Sequence, residues 1–409
     1  MKRFGLIVAG VVLVIGLTLG LAGFLPERDK IYDFVILYSA SLGVIHCVPI
    51  YDNAAITSLM IAKLSLSADF TMFPYPYPPW YPLSAFYLAF LSPGKAANAW
   101  MLLNIAMLVV SAFLLTERWK PIPRILAVLG ALLFIPSIGL LVVGQYSAPV
   151  LLGAALLIYA VRREDAPLTA LGLLLMTFKP HLGLFLLLGG FFWLVFQFKG
   201  GSQTRPSFAR RAVWMALGGG LLLAALGFLA DPLWPLTYIR SLTSYTSLSG
   251  VASRDLSASF SAILVKLALG TPLIPHGETQ GGLGQVGMVW ATWLSVALIV
   301  IMLLLFWRFR LFANLETWVA ACVLLTLLGD PYLFNYDYIL ILLPLVCLAG
   351  QAKSLTQRLI LCAVYFLPWL SLLLERNANL FYAISAIFLV GVLLQKNREN
   401  TGDSHLKLV

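Results

Sequence analysis

The chain has 409 residues, of which 61% are hydrophobic and 11% charged, with a formal net charge of +10. Soluble domains carry roughly 45–50% apolar and about 25% charged residues, so the composition excludes an ordinary soluble globule and points to an integral membrane protein. The positive excess is scattered in short groups between apolar runs, which argues against a nucleic-acid surface and matches the pattern that orients membrane helices.

The first apolar run, Phe4 to Phe24 behind Met1-Lys2-Arg3, is longer than the core of a cleaved signal and reads as a first span. Window hydropathy predicts further spans at about 96–116, 124–143, 145–161, 166–178, 180–197, 213–230, 285–307, 312–329, 336–350, 356–373 and 379–395, about twelve in all. Runs near 20 apolar residues suit helices, and no ten-residue alternation indicates an outer-membrane barrel. The expected fold is an all-α polytopic membrane bundle over residues 1–395, followed by a polar cytoplasmic tail at 396–409.

With the N-terminus inside and one crossing per span, the inner loops hold twice as many Lys and Arg residues as the outer ones. Residues 80–92 read as an interfacial or re-entrant piece, because a separate crossing there would carry Arg118, Lys120 and Arg124 outside. Two long outer loops follow, 25–79 and 231–284, and the amphipathic run 257–270 is too short to span and reads as an interfacial helix. The expected location is a bacterial plasma membrane, with both termini cytoplasmic and the working face outside. Three of the four cysteines lie in apolar runs and Cys47 stands alone, so neither metal spacing nor a disulfide framework is visible.

The unusual polar residues fall on that outer face. Residues 73–82, FPYPYPPWYP, contain only proline and aromatic residues and cannot be helix interior. They read as a rigid wall or connector, whose Tyr77 and Trp80 can stack on a sugar or line a prenyl groove. Asp33, at the outer end of the first span, is a candidate general base, and its plainer reading is a helix N-cap. Lys179-Pro180-His181 breaks an apolar run, and ionisable groups in spans are functional candidates. Lys179 suits a phosphate and His181 can donate to the same oxygens; the plainer reading is a lysine snorkelling to the interface. Gly144-Gln145 is a tight turn, in which Gln145 offers a sugar both a donor and an acceptor or merely joins two helices. In DPYLFNYDY at 330–338, Asp337 can orient a polyol or pair with Lys179, or cap the helix that follows. Arg240 and Arg254, among hydroxyl residues of the second loop, are candidate phosphate ligands or solvated loop charges.

No HExxH, P-loop or GxSxG pattern occurs, nor a GxGxxG followed by an acidic residue, nor a DxD motif, so zinc protease, nucleotide-driven pump and serine hydrolase chemistries are not indicated and no metal is expected.

Taken in order, several pieces resemble a known family. Asp33-Phe34 with Tyr38, then Pro49-Ile50-Tyr51-Asp52, resembles the first outer loop of glycosyltransferase family 87, of the GT-C class. Tyr77-Pro78-Pro79, Gly144-Gln145, Lys179-Pro180 and Pro331-Tyr332 through Tyr336-Asp337-Tyr338 resemble its later elements. The resemblance implies a GT-C-like fold and transfer of a sugar, with inversion, from a polyprenyl-phosphate donor to a lipid or glycan acceptor on the outer face. It makes Asp33 the base and gives Lys179 the leaving phosphate, with no nucleotide or other cofactor. Read from the residues themselves, Tyr38, Tyr77, Trp80, Gln145, Tyr336 and Asp337 are substrate-binding candidates, and His181, Arg240 and Arg254 are candidate phosphate ligands beside Lys179. Mannosyl members often carry a histidine pair where this chain has Tyr336-Asp337-Tyr338, so the sugar is left open between mannose and another hexose. Two rivals stand beside it: a transporter or flippase of lipid-linked sugars, and an O-antigen-ligase-like transferase that grips a diphosphate with Arg240 and Arg254.

Overall fold

In a computed structural model the described residues are 2–30, 32–201, 203–248, 257–270, 284–373 and 378–406, and they are all-helical. In chain order the helices are α1 (Lys2–Phe24), α2 (Phe34–Ile45), α3 (Asn53–Leu64), α4 (Trp80–Ala85), α5 (Pro93–Leu115), α6 (Pro121–Leu133), α7 (Ile135–Val143), α8 (Ala148–Arg162) and α9 (Ala166–Met176). They continue as α10 (Pro180–Phe198), α11 (Pro206–Ala230), α12 (Trp234–Leu248), α13 (Phe260–Ala268), α14 (Gly284–Arg308), α15 (Leu315–Gly329), α16 (Leu342–Ala349), α17 (Leu355–Phe366) and α18 (Ala378–Leu406).

Among the described residues, 6 helices are long and apolar enough to cross a membrane, or up to 7 if the bent pair α6–α7 is one span. The protein is an integral membrane protein. The pair α6–α7, where one span was expected at 124–143, bends by 52°. Pro136 lies in the first turn of α7, where its ring removes a backbone donor and breaks the continuous helical ladder. The expected spans at 145–161, 166–178 and 312–329 appear as the shorter helices α8, α9 and α15. At 1.5 Å per residue, the 11 residues of α9 extend about 16 Å, short of a hydrocarbon core of about 30 Å. Residues 80–92 form the six-residue α4 and a 3-10 turn at Phe86–Phe90, too short to cross. The run at 257–270 is helical as α13, capped by Ser259 through the N–H of Ala262, and it buries Ala262 and Ile263 in the bundle.

Two large parts make up most of the core among the described residues. The larger part packs α8, α9, α10, α15 and residues 336–348 around fully buried Leu, Ala and Val side chains. The smaller part packs α2 and α5 against the proline-rich segment through Tyr75, Tyr77, Tyr81 and Trp100. Helices α8 and α9 form a hairpin whose backbones nearly touch: a Cβ on Gly153 would meet the Gly172 carbonyl at 2.6 Å. Small residues permit such approach in membranes, where packing rather than water drives association. The hairpin has a consequence for function. Its open ends are Ser147 and Thr177, so it delivers the turn 144–147 and the break at Lys179 to the same place.

Arg162, 2.7 Å from Glu316, belongs with Arg163–Glu117 and Arg205–Glu164 to a girdle that ties the basic loops together. These loops cap the end of the hairpin opposite Lys179.

Candidate active site

Asp33 occupies the N-cap position of α2, yet its side chain makes no capping hydrogen bond. The carboxylate instead accepts from Gln145 Nε2 at 2.5 Å and from the Tyr336 hydroxyl at 3.4 Å. Asp33 is half-buried, and Tyr32 before it holds a left-handed φ of +34°. A non-glycine residue in that region is strained, and such strain gathers where function needs a fixed geometry. The Tyr146 hydroxyl secures the Asp33 carbonyl and receives the Leu37 N–H at 3.3 Å.

Gln145 reaches Asp33 because the turn before it is left-handed. Gly144 has φ +78°, and a Cβ there would lie 2.8 Å from Phe34 Cβ. The Gly144 carbonyl accepts from Trp100 Nε1 at 3.0 Å, which pins the turn to α5. The Gln145 amide is spent at both ends: Nε2 on Asp33 and Oε1 on Lys179 Nζ at 3.3 Å. It therefore couples the carboxylate to the cation, a role its position in a helix-joining turn did not announce.

Lys179 does not snorkel. It is 2% exposed, and Nζ lies 2.5 Å from Asp337 Oδ1 and 3.1 Å from Ser147 Oγ. With Gln145 these use all three ammonium donors. The ring of Tyr336 lies 5.1 Å from Nζ, within cation–π range. Pro180 opens α10 immediately afterwards, so the lysine sits on non-helical backbone at the helix mouth. Asp337 serves two ends at once. Oδ1 takes Lys179 and the Ser147 hydroxyl at 2.6 Å, while Oδ2 caps the N–H of Phe334 at 3.1 Å. The pairing with Lys179 is realised, while Asp337 is not the N-cap itself: Phe334 takes that position and Asp337, three residues on, reaches back to its N–H. Taking two charges out of water costs several kcal/mol each, and this pair is tolerable because its remaining lone pairs are also hydrogen-bonded.

His181 lies beside this pair with its ring edge toward Tyr332, centroids 6.1 Å apart, and its buried Nε2 has no hydrogen-bond partner among the described residues. Asp330, in the loop after α15, accepts the Tyr332 N–H at 2.8 Å through Oδ1 while Oδ2 is buried and unpartnered. Burial pushes its carboxyl well above the usual range, and the neighbouring Asp337 charge adds to that. The loop is held from the side by Ser257-Ala258-Ser259: Ala258 N–H donates to Leu333 O at 2.6 Å, and Ser259 Oγ to Pro331 O at 3.0 Å.

The proline-rich segment forms the wall. Tyr77 packs edge-on against Tyr146 at 4.8 Å, and Tyr146 lies 5.5 Å from Tyr81. Burial raises the Tyr77 and Tyr146 hydroxyls well above their ordinary range, so both stay protonated. Other expected residues are not brought into the cluster. Tyr38 is buried and donates to Leu91 O at 2.9 Å, an anchor for the 3-10 turn. Trp80 donates to Thr177 Oγ1 at 3.0 Å and packs on Trp234, which fixes α4 to α9 and α12. Arg240 lines a different cavity, and Arg254 lies outside the described residues. Ser147 and Tyr146 are the members that sequence reasoning passed over. Their signal was adjacency to Gly144-Gln145, since a turn that aims one side chain inward aims its neighbours too.

Beside the cluster a cavity of about 530 Å³ runs between α1, α5, α8 and α9, lined almost wholly by apolar side chains such as Val14, Leu103 and Leu156. Tyr81 and Phe178, whose rings are 4.9 Å apart, form its end toward the cluster.

A carboxylate held half-open, a buried cation tied to it through one amide, and an apolar groove alongside form an arrangement able to deprotonate a hydroxyl next to a lipid-borne anion. A search of curated proteins finds no match. The model of glycosyltransferase family 87 matches residues 75–331, which includes Tyr77, Gln145 and Lys179 and stops short of Asp33, Tyr336 and Asp337. That range is more than half of the chain, and the protein belongs to glycosyltransferase family 87, a family of membrane glycosyltransferases.

Proposed function

We propose that the protein transfers a hexose, with mannose the first to test, from a polyprenyl-phosphate donor to a hydroxyl of a lipid or glycan acceptor, inverting the anomeric centre. The observation that carries this reading is the Asp33 carboxylate, released from helix capping and held on Gln145 and Tyr336. The acceptor oxygen forms a bond to the anomeric carbon as the bond from that carbon to the phosphate oxygen breaks. The acceptor proton passes to Asp33, and polyprenyl phosphate leaves. A positioned base of this kind contributes about 10²–10⁴-fold.

Lys179 supplies the positive charge for the departing phosphate, and Asp337 and Ser147 hold it in place beforehand. Fixed charge aimed at developing charge needs no reorganisation during the reaction, and this is usually a large catalytic contribution. His181, with its unsatisfied ring nitrogen, supplies a further donor to the phosphate. Tyr77, Tyr336 and Asp337 bound the sugar, and the prenyl chain lies in the groove lined by Leu103, Leu156 and Phe178. The donor brings its own leaving group, so the reading requires no nucleotide, metal or other cofactor.

A GT-C-like bundle of about twelve spans in a bacterial plasma membrane, with cytoplasmic termini and an outward-facing active site, accompanies this reading. The basic girdle joining Arg162, Arg163 and Arg205 to acidic partners supports an inner end opposite Lys179. Membership in a transferase family weighs against the flippase reading. The test is transfer in liposomes from short-chain polyprenyl-phosphate hexoses, with and without chelator. Wild-type transfer that survives chelation is expected; the absence of transfer from any such donor overturns the reading.

A further inference from the structure

The first long loop and the start of α12 enclose a second cavity, of about 610 Å³, whose walls contain none of Asp33, Lys179 or Asp337. Its volume is in the range of about 300–1,000 Å³ typical of small-molecule sites. Its polar lining includes Asp52, Asn53, Asp231, Arg240 and Ser244 beside the hydroxyphenyl of Tyr51 and the faces of three prolines.

The charges decide which ligand suits it. Asp52 spends Oδ1 on the Ala55 N–H at 3.0 Å, and Asp231 spends Oδ1 on the Leu233 N–H at 2.8 Å. The second oxygen of each carboxylate has no partner among the described residues, and neither has the Arg240 guanidinium. Two carboxylates against one guanidinium leave the lining net negative, which opposes a phosphate or diphosphate. Free carboxylate oxygens accept from hydroxyls, a guanidinium donates to them, and proline and tyrosine faces take the C–H side of a ring. This set fits a neutral polyhydroxylated ring.

Tyr51 of the cavity lining is also joined to the tyrosine wall by a chain of ring contacts. Tyr51 lies 6.0 Å from Tyr75, Tyr75 lies 5.6 Å from Tyr77, and Tyr77 lies 4.8 Å from Tyr146. The Tyr51 hydroxyl donates to the Tyr77 carbonyl at 2.8 Å, and Tyr146 holds the Asp33 carbonyl. Ser241 Oγ closes the other side on Tyr75 O at 2.7 Å.

We infer that this cavity is a glycan subsite for the acceptor, holding a neutral sugar ring along the tyrosine wall that ends at Asp33. The inference rests on the transferase reading for the word acceptor, while the sugar-binding claim stands on the lining alone. Arg240 then serves the acceptor sugar, with Lys179 keeping the phosphate.

The test places a cysteine at exposed Ser244, as Ser244→Cys in a Cys47→Ser, Cys362→Ser background, since Cys322 and Cys347 are buried. The protein is reconstituted in nanodiscs and labelled with a maleimide in the presence of octyl hexosides or of pyrophosphate. Octyl hexosides are expected to slow labelling by about tenfold at saturation, and pyrophosphate to leave it unchanged. Arg240→Gln and Asp231→Asn are expected to raise KM for an octyl hexoside acceptor about tenfold, with donor KM within about twofold. Protection by pyrophosphate, no protection by any hexoside, or a rise in donor KM instead overturns the inference. Protection without transfer breaks the transferase reading and leaves the glycan site. Transfer without protection does the reverse.

Discussion

The two ends of the bundle hold ion pairs of opposite character. At the girdle, Arg205 pairs with Glu164 while its side chain is 74% exposed. At the other end, Lys179 and Asp337 pair at 2.5 Å with 2% and 0% exposure. The Arg163 and Arg205 side chains reach into water, where a pair is worth about 0–1 kcal/mol, while Arg162 and Glu316 are mostly covered. Lys179 and Asp337 have lost their water, and an apolar pair of the same shape would fold as well or better. The same contrast holds for helix caps. Asp165 and Asp52 cap α9 and α3 with their side chains, whereas Asp33 occupies a cap position and gives its carboxylate to Gln145.

The sharpest test of this contrast is Asp33→Asn. Transfer from a polyprenyl-phosphate hexose is expected to fall about a hundredfold or more, while the melting temperature in detergent barely moves because no cap is lost. A stability loss comparable to that of a cap removal would return Asp33 to a structural role.

Next is the buried pair. Lys179→Met or Asp337→Leu alone strands a buried charge and is expected to cost about 3–5 kcal/mol. The double variant should recover most of that stability and none of the activity, read by thermal unfolding beside the transfer assay. Recovery of activity in the double variant would show the pair to be a scaffold only.

Gly144→Ala forces a side chain into φ +78° and against Phe34, and about 1–3 kcal/mol of destabilisation is expected. The turn that aims Gln145 is disturbed, so transfer should fall more than stability does.

Asp330 offers a pH effect. Its carboxyl is held above the ordinary range in the folded protein, so the folded state binds that proton more tightly than the unfolded state. The stabilisation is complete at pH below the unfolded value and is lost as pH rises through the raised folded value, at up to about 1.4 kcal/mol per pH unit. Asp330→Asn should flatten this part of the stability profile, measured by unfolding from acid to neutral pH.

The smallest effect is expected at the girdle: Glu164→Gln should change stability by about 1 kcal/mol or less and leave kcat unaffected.

Much of this was legible in the residues. The apolar runs gave the all-helical membrane class, and six helices of spanning length fall where runs were read. Prolines at 74–79 excluded helix there, and Pro180 marked the break beside Lys179. Lengths were less legible, because hydropathy cannot tell an 11-residue helix with polar ends from a full crossing. The 52° bend at α6–α7 was also hidden, since a proline inside an apolar run raises no hydropathy signal.

Sequence by itself determined which residue types stood at the ends of the helices, because the cost of burying charge in lipid confines ionisable groups to a few positions. It could not determine their partners. Asp33 and Tyr336 stand far apart along the chain, and Gln145 could equally have faced solvent. Only tertiary structure decided that the close α8–α9 hairpin sets Ser147 beside Lys179, that Gln145 spans from that lysine to Asp33, and that Arg240 belongs to another cavity. Side-chain pairing depends on where packed backbones place the atoms, and that is a property of the fold rather than of any local stretch.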